Sequence, residues 1–218
     1  FDIHEPHDRL EVTATSLVAT NVRAHAPRED CRWELLDEPA VVDDLHEVLV
    51  PSAQVPATRE LTDVAEDVCR RATTPAAAVE EVCALVHDHL SYEPGATSVT
   101  TDAGEAWAGG RGVCQDFAHV TIAILRAAGI PARYVSGYLH PTPDAPPGET
   151  VRGESHAWLE AWTGWWRPLD PTTATDVGER HVVVARGRDY RDVAPLRGIY
   201  AGGAAQRHEV EVAITRLA

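Results

Sequence analysis

Gly109-Gly-Arg-Gly-Val-Cys-Gln-Asp-Phe-Ala-His-Val-Thr-Ile-Ala-Ile-Leu-Arg-Ala-Ala-Gly-Ile-Pro131 is the stretch on which the fold turns. Its glycines permit a sharp turn. After Cys114, the apolar Phe117, Val120, Ile124 and Ala128 recur at helical spacing until Gly129 and Pro131 stop the run. Cys114 therefore opens a helix. Ile122 and Leu125 make the opposite side apolar too, which predicts a helix buried on most faces at the centre of its domain. A thiol at a helix N-terminus feels the positive end of the dipole and the orphan N–H groups, and both favour the nucleophilic thiolate. The glycines before it let backbone approach a substrate closely, and the Cys114 N–H can point at a developing oxyanion.

Upstream, Thr74 and Pro75 read as the cap and first position of another helix, with Val79, Val82, Cys83, Val86 and Leu90 on its apolar stripe. Cys83 then reads as a core residue. With Cys31 and Cys69 the chain has four cysteines, no C-x-x-C pair and no zinc-like spacing, usage that reads as reduced and cytoplasmic. The chain starts at Phe1 and contains no Met, so its native start is expected upstream, and removal of a signal peptide stays open. Residues 1–50 carry the strand-like Leu10-Glu-Val-Thr-Ala-Thr-Ser-Leu-Val18 and the proline-punctuated stretch Pro27 to Pro39, read as a small β region ahead of a catalytic domain spanning 51–218.

Downstream the period changes from helix to strand: Arg133 to Leu139, Ser155 to Trp162, Trp165 to Asp170, His181 to Ala185 and Glu209 to Leu217. Helices followed by strands predict an α+β domain, helices packed on an antiparallel sheet. In His156-Ala-Trp-Leu-Glu-Ala-Trp162, Ala157, Leu159 and Ala161 face one side, and His156, Trp158 and Glu160 the other. A turn near Gly164 brings Asp170 back beside His156. Parity decides whether the two meet. A two-residue loop pairs 162 with 165 and puts Asp170 on the wrong face; pairing 161 with 165 sets it opposite His156 and demands a three- or five-residue loop, or a bulge. With that register, Cys114, His156 and Asp170 supply nucleophile, base and orienter.

Gly112-Val-Cys-Gln-Asp-Phe-Ala-His119, Gly129-Ile-Pro-Ala-Arg-Tyr-Val-Ser-Gly-Tyr138, Ser155-His-Ala-Trp158 and Leu169-Asp-Pro-Thr172 together resemble the bacterial transglutaminase-like superfamily, some members of which are described as cysteine proteases. Over about residues 60 to 200 the resemblance implies a papain-like core with catalytic Cys114, His156 and Asp170 acting by acyl transfer. The reaction expected is attack on a peptide or carboxamide carbonyl through a thioester, leaning to hydrolysis (protease or amidase). Amine transfer, as in a transglutaminase, is the alternative, and a catalytically silent peptide-binding module is another.

Secondary candidates surround this triad. Tyr92 is either a core tyrosine, the favoured reading, or a donor to the oxyanion beside the Cys114 backbone. Trp158, Trp166 and Tyr190 are candidates for the cleft wall. His119 falls out of phase with Cys114 on the helix and reads as a buried hydrogen-bonding group, while Asp116 reads as a stabiliser of the helix start. No metal site is expected and no cofactor is needed. Against 19 basic side chains stand 34 acidic ones, a net charge of −15, which excludes nucleic acid and anionic membrane surfaces as partners and leaves a peptide or protein substrate.

Overall fold

A computed structural model describes residues 9–20, 29–142, 145–195 and 210–217. Two short helices, α1 (Trp33–Leu36) and α2 (Pro39–Asp44), precede α3 (Arg59–Arg71) and α4 (Pro75–His89). Each of the longer pair starts on a threonine. Thr58 accepts from the Leu61 N–H and Thr74 from the Ala77 N–H, with Pro75 in the first turn, where its missing N–H costs nothing. The two-residue strands β1 (Ser91–Tyr92) and β2 (Arg111–Gly112) pair in parallel around α5 (Ala103–Gly109), which begins in an Asp102/Glu105 capping box and ends at Gly110 with φ +63°.

The central helix is α6 (Cys114–Ala127), and every residue from Gln115 to Arg126 is buried. An amphipathic helix would leave one side wet, but this one is apolar around its circumference, so α3, α4 and α5 cover part of it and the sheet covers the rest. Ile122, Ile124 and Leu125 lose all exposure there, worth about 1.5–3 kcal/mol each. The sheet has the order β6-β5-β3-β7, from β3 (Ala132–Leu139), β5 (Glu154–Trp162), β6 (Trp166–Leu169) and β7 (His181–Gly187), with all neighbours antiparallel. Ala157, Leu159 and Ala161 of β5 face the core around α6, the small apolar side read from the sequence. The strand β4 (Thr150–Arg152) pairs with β8 (Ala213–Thr215), and α7 (Tyr190–Val193) follows β7. The architecture is α+β, as expected.

Among the described residues of the first 50 there is no β region. Residues 9–20 form no ladder, and Trp33–Leu36, Pro39–Asp44 and His46–Val48 are short helical segments. Alternation makes a strand only where a neighbouring strand accepts the hydrogen bonds and a core accepts the side chains; here Leu10, Val12, Val18 and Leu17, the last 84% exposed, have neither. Pro39, read as punctuation, instead occupies the first turn of α2. Residues 1–8 and 21–28 of that region lie outside the described residues.

The hairpin between β5 and β6 fixes the site. Its turn is three residues long, Thr163-Gly164-Trp165, with Gly164 at φ +94° and Trp162 facing Trp166. The parity is the one that puts Asp170 on the face of His156. Leu159 pairs with Leu169, however, so Asp170 comes level with Trp158 and reaches His156 diagonally rather than directly across. On β3, Gly137 lies opposite both His156 and Val183, beside a register shift between Ser136 and Gly137. A Cβ on Gly137 would stand 2.1 Å from the Val182 carbonyl and 2.5 Å from Cη2 of Trp158, so the missing side chain is the space the indole fills.

Candidate active site

Cys114 opens α6 half-buried, packed against the main core. Asp116, two residues on, folds back: its Oδ2 accepts from the Val113 N–H at 2.8 Å and from Thr97 Oγ1 at 2.6 Å. Burial raises the Asp116 pKa against these bonds. A Cβ on Gly112 would lie 2.5 Å from that Oδ2, so this glycine makes room for Asp116, a use the sequence reading had given to an approaching substrate. Asp116 holds the helix start, as expected.

His156, on β5, donates from Nε2 to Asp170 Oδ2 at 2.8 Å. Burial alone would lower its pKa, but hydrogen bonds to Asp170 and to Cys114, reinforced by the fields of both, raise it to about 9. Nε2 is taken by Asp170, so Nδ1 is the nitrogen left for the thiol. Asp170, with a side chain 0% exposed, accepts five hydrogen bonds: at Oδ1 from the N–H groups of Thr172 and Thr173, at Oδ2 from His156, from Thr173 Oγ1 at 2.8 Å and from His181 Nε2 at 3.3 Å. Burial pushes its pKa up, and the donors of His156, His181 and Thr173 overcome that and hold it well below the usual carboxylate range. This turn is closed by an isolated bridge from Asp170 to Thr175, with Ala174 at φ +51°.

The secondary candidates divide. Tyr92 is 57% exposed, so the core reading fails; its ring leans on Phe117, and its phenol pKa is raised by burial, then by the fields of Cys114 and Glu154. Trp158 is 0% exposed and cannot line a cleft: Gly137 admits it to a small cluster with Val135, Val177 and Val183, between the rings of His156 and His181. Trp166 carries the Arg133 guanidinium 3.8 Å from its ring, beside a buried Glu160 that pairs with Arg133 and Arg186. Tyr190 is half-buried and donates its N–H to His119 Nε2 at 3.1 Å. His119, fully buried and with its pKa lowered to about 3 by burial, is the structural group expected. Cys83 joins Asp170, Pro171 and Thr175 in lining a cavity of about 250 Å³, and burial pushes its thiol up to about 12.

His181 escaped the sequence reading. It is one of eleven histidines, at a strand start with no informative spacing, and only the closed 170–180 loop brings it to Asp170. With His156 and Asp170 it forms the group of described residues whose ligand atoms could converge on a cation, all within 4.8 Å. The set does not fit one. Gly178 donates its N–H to His181 Nδ1 at 3.2 Å, so Nδ1 carries no proton and the proton sits on Nε2, the atom a metal would need bare.

The family model of the transglutaminase-like superfamily matches residues 62–171, just over half of the chain and all three of Cys114, His156 and Asp170. The chain is 44% identical over its whole length to the uncharacterized protein ML0607 of Mycobacterium leprae, covering 77% of it, and 35% identical over 91% of its length to Rv2569c of Mycobacterium tuberculosis, covering 67%. A solved structure of a candidate cysteine protease from Cytophaga hutchinsonii superposes on 72% of the chain with a TM-score of 0.61 and 31% identity, the overlap being 52% of that larger chain. The chain therefore belongs to the transglutaminase-like superfamily. No helix among the described residues is long and apolar enough to cross a membrane.

Proposed function

We propose that the chain is a cysteine-dependent acyl-transfer enzyme that cleaves peptide or carboxamide bonds, with Cys114 as nucleophile, His156 as proton carrier and Asp170 as its orienter. The observation that carries this reading is the His156 imidazole bonded through Nε2 to buried Asp170 at 2.8 Å, with Cys114, the first residue of a buried helix, among the groups that raise its basicity. In acylation the sulfur attacks the carbonyl carbon, a C–S bond forms, the C–N bond breaks and the His156 imidazolium gives its proton to the leaving amine. Water then attacks the thioester, His156 takes its proton, and the thiolate leaves. The exposed Tyr92 hydroxyl and the Cys114 N–H are the donors for the oxyanion. The likeness to a candidate cysteine protease supports hydrolysis over amine transfer. The cysteines among the described residues are free, which supports a reducing, cytoplasmic setting.

The test is to trap the acyl-enzyme with a peptide library and read the adduct by mass spectrometry. An acyl group on Cys114, absent from Cys114→Ala and released by water, is expected. Release only on addition of an amine would move the reading to transglutaminase; no adduct, with Cys114 no more reactive to a thiol probe than Cys31, would leave a silent binding module.

A further inference from the structure

Asp170 has more donors than an orienting role requires. Its Oδ1 is pinned by two backbone N–H groups at 3.0 and 3.3 Å, and its Oδ2 by the Thr173 hydroxyl at 2.8 Å, so the carboxylate plane is fixed before either histidine is counted. His181 adds a third bond to Oδ2, at 3.3 Å, on the same oxygen that holds His156 at 2.8 Å. The ring is 4% exposed and packs edge-on to Trp158 with centroids 5.2 Å apart, so its place is set by the fold. The Gly178 N–H on Nδ1 selects the tautomer that donates from Nε2 and keeps the ring neutral.

We infer that His181 is a neutral donor that shares Asp170 Oδ2 with His156 and so limits how tightly the carboxylate holds the His156 proton. It acts through Asp170, as a positioning residue, and lies ten residues beyond the span matched by the family model. Each donor on a carboxylate oxygen stabilises the anion in its own right and lessens its basicity toward the others. His156 must give its proton to the leaving amine, and a proton held too tightly slows that step. Neutrality matters as well, because a cation at position 181 would compete with His156 for the same negative charge. Of the other titratable groups that face this cluster, Cys114 approaches His156 from α6. From α4, Cys83 feels the Asp170 field with its thiol proton retained, His87 Nδ1 lies 3.0 Å from the Pro171 carbonyl, and Glu80 is paired with Arg167 of β6.

The inference rests on His156 as the proton carrier, and its test separates the two. In the full chain with labelled histidines, His156 is assigned by its loss in His156→Ala and titrated by NMR. His181→Leu is expected to raise the His156 midpoint by about 0.5–1 pH unit, and His181→Gln, which presents an N–H at the same depth, to return it to the wild-type value. A residue that merely props up Asp170 would, on removal, lower the midpoint. An unchanged or lowered midpoint in His181→Leu overturns the inference. Should the Leu variant fail to fold, the nitrogen shifts of wild-type His181 decide: the Nε2–H tautomer is expected, and the Nδ1–H tautomer overturns it. Failure of the enzymatic reading shows elsewhere, as alkylation of Cys114 with the same pH profile in wild type and His156→Ala, a result independent of the His156–Asp170–His181 coupling.

Discussion

Cys114 and Cys83 lie on neighbouring helices in opposite electrostatic settings, one beside an imidazole that keeps its proton to about pH 9, the other beside the buried carboxylate of Asp170. Iodoacetamide is therefore expected to modify Cys114 ahead of Cys83, with labelling of Cys114 persisting into mildly acidic solution. His156→Ala moves that profile to higher pH, because the sulfur loses its neighbouring cation and keeps only the helix dipole. The check is the carboxamidomethylation rate at each cysteine, by mass spectrometry, across pH 5–9. Cys114→Ala is expected to abolish turnover by at least about a thousandfold while shifting the melting temperature little, since a half-buried thiol at a helix start contributes little packing. The three residues proposed for the chemistry could be singled out in the sequence because Cys114 opens a helix, Asp170 follows a strand and His156 heads an alternating segment, each with a spacing constraint attached. His181 could not be, since its role depends on where an eleven-residue loop sets it down.

At the level of elements, the outer face of the sheet is built around an absence. Gly137 lets Trp158 lie across β3, and Trp158 in turn wedges between the two histidines. Gly137→Ala is expected to cost about 1–3 kcal/mol of stability and to lower Cys114 labelling, because the new Cβ meets the Val182 carbonyl and the indole together. Denaturant unfolding alongside the alkylation rate measures both; a variant as stable as wild type would show that the strand shifts freely there. The sequence placed Trp158 on the face of His156 correctly and its exposure wrongly, for a simple reason. Alternation tells which side a residue faces, but whether that side is covered depends on the 170–180 loop, whose Val177 closes over it. The strand expected over Leu10 to Val18 failed on the same ground, a local pattern without a partner.

For the whole molecule, the site also sets a pH dependence of stability. A histidine whose native pKa stands at about 9, against about 6.5 when unfolded, stabilises the fold by up to about 3 kcal/mol below pH 6.5, and that contribution is lost as the pH rises through 9. Asp170 works in the opposite sense: its depressed pKa stabilises the fold above about pH 4 and the contribution fades as the medium becomes more acidic. Thermal unfolding is thus expected to peak in the window from about pH 4 to 6.5 and to decline toward pH 9, with the alkaline decline largely removed in His156→Ala. A net charge of −15 adds self-repulsion that grows with pH, so the wild-type and His156→Ala curves must be compared at equal salt.

The three-residue turn Thr163-Gly164-Trp165 has a meaning for heredity as well as for geometry. Losing or gaining a codon there would leave Trp162 opposite Trp166 and Asp170 on the face of His156, whereas losing or gaining one codon between Trp166 and Asp170 would rotate Asp170 to the far side of the sheet and strand His156 without its anion. Among descendants that keep the chemistry, length variation should therefore collect in the turn and spare the paired segment that follows it, and a lineage with a single-codon change in that segment should carry a folded but silent protein.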